Sequence, residues 1–155
     1  MNPMSRIVRT VTRYLYPFVI LFGFYIIIHG HLTPGGGFQG GAVIASAFAM
    51  VIVAFGSKHV DRWYSEEKFS VVESSGLLAF VTLAFLGIGV MFFYNFLANG
   101  RSTSLPWLFG DITSGINSGA LNTAGTIPLM NIAVGLEVLA GLGAIVYMMF
   151  HGREA

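Results

Sequence analysis

Four long apolar stretches, joined by polar or glycine-rich connections, limit what this chain can fold into. They run approximately over Tyr14–His31, Phe38–Gly56, Ser70–Ala98 and Ile127–Phe150. A bilayer core about 30 Å thick takes roughly 20 helical residues to cross. Backbone polar groups in lipid must be bonded within their own segment, and the alternating polarity of barrel strands is missing, so the stretches are expected to be helices. The expected fold is therefore all-α: one integral membrane domain over residues 1–155 with four transmembrane helices. The first stretch is short and the third is long, which predicts that the third tilts or extends into an interface. Composition points the same way: 55% of the residues are hydrophobic and only 10% charged, against about 25% charged in a soluble domain. Such a chain has too little polar surface to face water on all sides.

Charge placement sets the expected orientation. Arg6, Arg9 and Arg13 precede the first span, Lys58, Arg62 and Lys68 lie between the second and third, and Arg153 follows the fourth. With four spans these regions share one side, and the other side holds only Arg101. The positive-inside rule then puts both termini in the cytoplasm of a multi-pass protein of the cell membrane. Trp63 and Tyr64 on one side and Trp107 on the other suit interfacial anchors. The basic start before an apolar run resembles a secretory signal, but no small-residue cleavage pattern follows, so it reads as a retained first span. The outer loop, 99–126, is long for a four-helix protein and rich in Gly, Ser, Thr and Asn; Asp111 within it is expected to be solvated. The absence of cysteine excludes disulfides, thiolate zinc sites and a cysteine nucleophile. No extended basic run or stripe invites nucleic acid.

The most unusual stretch is residues 29–41, HGHLTPGGGFQGG. A phosphate loop needs Lys and Ser/Thr straight after its glycines, and a dinucleotide fold needs a strand before them; Phe38 and Gln39 follow here instead. His29 and His31, two apart on a helix, point in nearly opposite directions, and no third ligand is near, so neither a metal nor a cofactor is expected. A packing reading fits better. Pro34 restricts Thr33 to extended backbone, and Gly35, Gly36 and Gly37 form a tight turn. Gly37, Gly41, Ala45 and Ala49, each four apart, make a smooth stripe on the second span that lets another helix approach closely, and this stripe is expected to serve assembly. Gly40 belongs to the same small-residue start of that span. His29, His31, Thr33 and Gln39 either satisfy exposed backbone or line a hydrated ion path.

Glu137 lies near the middle of the fourth span. A charge there costs about 2.5–3.5 kcal/mol on insertion scales, so it calls for a partner group, a proton or water. Ala133 and Gly141, four residues to either side, give it a small-residue face turned toward protein. It serves either as a hydrogen-bonding structural group or as a relay for protons or cations. Glu73, at the start of the third span, is expected near the membrane surface, and Asn131 is expected to bond between helices.

HGHLTPGGGFQGG, the AFG that follows the small-residue helix, and the late GTIPLMNIAVGLEVLAGL together resemble the B subunit of Mrp-type multisubunit cation/proton antiporters, the MnhB family. The resemblance covers essentially the whole chain, and the glycine motif is long and specific. It implies a small subunit of a hetero-oligomeric membrane complex that exchanges sodium ions for protons. It also implies functional weight on Pro34, Phe38, their glycine neighbours and Glu137. The same module occurs in membrane-bound hydrogenases and related respiratory complexes, so an antiporter subunit and a redox-complex subunit are both open. The long outer loop departs from the family pattern. An independent membrane enzyme would need clustered catalytic residues at one depth, whereas one central glutamate cannot run antiport alone.

Overall fold

The computed structural model describes residues 3–32, 36–56, 60, 65–98 and 124–151. Thr33, Pro34 and Gly35 of the glycine stretch lie outside these residues, as do Lys58, Arg62, Trp63, Tyr64, Arg153 and the loop over 99–123 with Arg101, Trp107 and Asp111. Among the described residues four long helices carry the fold: α1 (Arg6–His29), α2 (Gly36–Phe55), α3 (Glu66–Leu86) and α4 (Ile127–His151). All four are long and apolar enough to span a membrane.

Helix α1 begins eight residues before the expected span. Ser5 caps it, its hydroxyl accepting from the Val8 amide at 3.4 Å, and this local bond nucleates helix through the basic segment where hydropathy is low. At 1.5 Å per residue α1 is about 36 Å long, so its arginine-bearing turns reach beyond a core of about 30 Å. Helix α3 likewise starts early, at Glu66. Glu66 and Glu67 occupy its first turn, where carboxylates favour the positive end of the helix dipole.

The third span is corrected at its other end. The expected run to Ala98 stops at Leu86, and Gly87 begins a series of turns that ends in a short 3-10 helix over Phe96–Ala98. The chain folds back on itself: the Phe93 amide donates to Ala84 O at 3.1 Å, and Phe93 has a positive φ of 63°. A Cβ on Gly87 would meet the Tyr94 carbonyl at 2.7 Å, so only glycine admits this reversal. Asn95 then joins the end of this segment to the start of α4. Its amide donates to Ala124 O at 2.9 Å, and its carbonyl accepts from the Thr126 amide at 2.8 Å and hydroxyl at 3.1 Å.

Helices α2 and α4 lie side by side, with α1 packed on α2 and α3 packed on α4. Glycines set the closeness of the α1–α2 hairpin. A Cβ on Gly36 would fall on the Gly30 backbone, and one on Gly40 would meet Gly23 O at 2.7 Å. Gly37 and Gly41 face the other way, where added Cβ atoms would meet Asn131 O and Gly135 O of α4, both at 2.7 Å. Ala45 is buried and Ala49 half-buried. Gly37 and Gly41 of the stripe expected from the sequence thus face the chain's own α4. In lipid, where apolar burial gives no driving force between helices, such close backbone contact supplies the dispersion energy that holds a pair. Phe48, Ile52, Val60, Phe69 and Ala140 form a buried cluster, with Phe48 and Phe69 edge to face at 5.2 Å.

Candidate functional site

Helices α3 and α4 run antiparallel, as their contacts show. Gly76 of α3 abuts Ala133 and Glu137, Glu73 abuts Gly141, and Phe69 abuts Gly143. A Cβ on Gly76 would lie 2.9 Å from Ala133 O, 3.0 Å from Glu137 N and 3.2 Å from Glu137 Cβ. The small-residue face around Glu137 therefore receives α3. Ala133 is buried, and Gly141 and Glu137 are half-buried.

The same contacts place Glu73 where the sequence reading did not. Because α3 starts at Glu66, Glu73 lies about 10 Å along the helix rather than at its start. Its Oε1 would be 3.3 Å from a Cβ on Gly141. Gly141 and Glu137 are one turn apart, about 6 Å of rise, so the two acidic residues occupy adjacent turns of one helix–helix seam. Glu73 is exposed on the isolated chain. Neither carboxylate has a hydrogen-bond or ion-pair partner among the described residues. The signal for Glu73 was Ser65-Glu66-Glu67, a helix start that places position 73 two turns inside.

The glycine stretch is a different place. His29 is in the last turn of α1, stacked on Tyr25 at 5.2 Å. The helix ends there, so His31 is not carried to the opposite side as helical spacing implies; the two imidazole centroids are 6.3 Å apart. His31 Nδ1 is 3.1 Å from Ile28 O, a hydrogen bond when that nitrogen carries the proton. Phe38 and Gln39 are exposed on the first turn of α2. Gly30 and Gly37 meet α4 at Asn131, whose buried Nδ2 has no hydrogen-bond partner among the described residues, so the expected helix–helix bond is not made through that amide nitrogen. Asn131 precedes Glu137 by six residues, about 9 Å of rise, and the hairpin packs on the Asn131–Gly135–Val138 side of α4 while Glu137 faces α3. The fold therefore does not gather the histidines and Glu137 into one site.

Lys68, assigned to a loop from the sequence, stands on α3 and lines a cavity of about 310 Å³ with Tyr16, Phe48 and Phe69, where all four helices converge. Among the described residues no three His, Cys, Asp or Glu side chains group as a metal site.

This arrangement sits inside a recognisable sequence pattern. The family model described as a domain related to the MnhB subunit of Na+/H+ antiporter matches residues 7–144. The chain belongs to the MnhB family. An uncharacterized protein of Methanocaldococcus jannaschii is 38% identical over 133 residues, covering 84% of this chain and 47% of that protein. A Staphylococcus saprophyticus protein carrying the antiporter-subunit name mnhB2 is 44% identical over 54 residues, 35% of this chain and 38% of that protein. Among solved structures, a chain of the membrane-bound sulfane sulfur reductase, an archaeal respiratory membrane complex, superimposes with a TM-score of 0.70 at 35% identity. That match covers 94% of this chain and 58% of the other. The MnhB chain spans about half or less of the length of the curated relatives it matches.

Proposed function

We propose that this MnhB chain is a non-catalytic membrane subunit of a multisubunit sodium/proton-translocating complex in the cell membrane, with both termini cytoplasmic. The observation that carries the reading is the α3–α4 seam. Two acidic side chains in spanning helices, one half-buried and one exposed, have no partner among the described residues, and such groups stand where a neighbouring subunit, water or an ion meets them. In this reading Glu137, with Glu73 one turn away, borders an ion path completed by a partner subunit. The glycines of the hairpin hold α1 and α2 against α4, and Thr33 and Pro34 belong to the same motif. The test is affinity purification of the tagged chain from native membranes, followed by sodium-dependent proton flux in everted vesicles from strains with and without it. Antiporter-like membrane subunits in the eluate and lost flux in the deletion strain support the reading; isolation of the chain alone with unchanged flux contradicts it.

The likeness to a chain of an archaeal respiratory complex supports a second reading, in which the same subunit couples ion translocation to a redox enzyme. Iron–sulfur subunits in the same eluate favour it, and a purely membrane-embedded set of partners favours the stand-alone antiporter.

A further inference from the structure

At the end of α1 opposite the histidines, Arg6, Arg9 and Arg13 line one open cleft of about 300 Å³ together with Thr10, Tyr14 and Phe55. The spacing i, i+3, i+7 brings the three arginines to one face of the helix. Arg9 is half-buried, and its buried Nε has no hydrogen-bond partner among the described residues. The first turn of α1 carries no acidic residue, so Arg6 and Arg9 stand near the positive end of the helix dipole with Arg13 one turn further on, a run of like charges that a bound anion would relieve. The cleft does not end in polar surface. Thr10 and Tyr14 also line a shallow groove that runs on along Val11, Leu15 and Phe18, all exposed. A polar anion cradle that continues into an apolar groove along a spanning helix fits an amphiphile. An acidic protein segment would use the arginines but not the groove.

We propose that this cleft binds the phosphate headgroup of an anionic phospholipid, with one acyl chain lying along Val11, Leu15 and Phe18. The guanidinium groups supply planar, multiply donating contacts to phosphate oxygens, and basic pockets at the membrane surface between helices hold anionic headgroups on the same grounds. The site lies apart from the α3–α4 seam and does not depend on ion transport by the complex.

Native mass spectrometry of the full chain in detergent tests it, with phosphatidylglycerol, phosphatidylcholine and inorganic phosphate as probes. Phosphatidylglycerol is expected to be retained at least about five-fold better than phosphatidylcholine, and Arg9→Gln to lower that preference by about five-fold. Leu15→Asn is expected to weaken retention of the lipid. High salt should erase the preference in the unaltered chain, a readout that needs no variant. Equal retention of the two lipids overturns the proposal, as does a preference that survives both Arg9→Gln and high salt. Inorganic phosphate competing as well as the lipid assigns the cleft to free anions and overturns the lipid assignment. A photo-cross-linker at Thr10 that captures protein instead of lipid in native membranes overturns it as well.

Discussion

Glu73 lies over Gly141: an added Cβ at position 141 would be 3.3 Å from Glu73 Oε1 and 3.7 Å from its Cδ. The atoms in the way are the end of a flexible side chain, which can move. At Gly76 they are the Ala133 carbonyl and the Glu137 amide, 2.9 and 3.0 Å away, and backbone cannot. Gly141→Ala should therefore shift the Glu73 carboxylate while leaving the helices paired, and Gly76→Val should push α3 off α4 at a cost of about 1–3 kcal/mol. Thermal unfolding of the purified chain, measured beside transport, separates them: the first variant should lose transport at normal stability, the second should lose stability. The opposite pattern would mean that the seam tolerates bulk at Gly76.

A bulky residue on the α2 stripe should act within the chain. Gly41 faces Gly135 O at 2.7 Å and Val138 Cβ at 2.9 Å, so Gly41→Leu should lower the stability of the isolated subunit before any effect on assembly. A wild-type melting temperature for the isolated variant, with assembly alone impaired, would move the stripe's role to a subunit interface.

Phe38 offers the contrast. It is 59% exposed on the first turn of α2, so Phe38→Ala should leave the chain's melting temperature nearly unchanged. If its ring contacts a neighbouring subunit, the variant should reduce transport at normal subunit abundance. Parallel loss of protein and transport would instead make it a folding residue.

Asn95 makes three hydrogen bonds that join the end of the third segment to α4. At about 0.5–1.5 kcal/mol each, Asn95→Ala should destabilise the chain by about 1.5–4.5 kcal/mol, visible as a lower melting temperature in detergent. No change in melting would mean that these bonds are replaced by water.

The four spans were legible because apolar run length alone requires them. Their ends were less so, because local bonds decide them. Ser5 starts α1 inside a basic segment, Ser65-Glu66-Glu67 starts α3, and the apolar residues that continue past Gly87 hide a reversal that depends on a backbone contact with Tyr94. The early start of α3 is also what carries Glu73 two turns into the helix, away from the membrane surface that its place at the head of the apolar run suggests. The small stripe on α2 was visible in the spacing of Gly37, Gly41, Ala45 and Ala49, but spacing names a face and not the helix that fills it. Glu137 stood out because a lone carboxylate in an apolar span is costly wherever it points. Its neighbour across the seam required knowledge of which helices touch.

In the proposed function the Glu137 carboxylate takes part in ion movement rather than merely packing against Gly76. Glutamine keeps the size and hydrogen-bonding capacity of glutamate but cannot titrate. The deciding measurement is sodium-dependent proton flux in everted vesicles that carry the parent complex with Glu137→Gln, with complex abundance determined in parallel. Glu137→Gln should assemble normally and lose flux by about ten-fold or more, equivalent to about 1.4 kcal/mol in the barrier, with Glu137→Asp milder because the charge remains on a shorter arm. Full flux from Glu137→Gln at normal abundance would contradict it and leave Glu137 as a structural group of the α3–α4 seam.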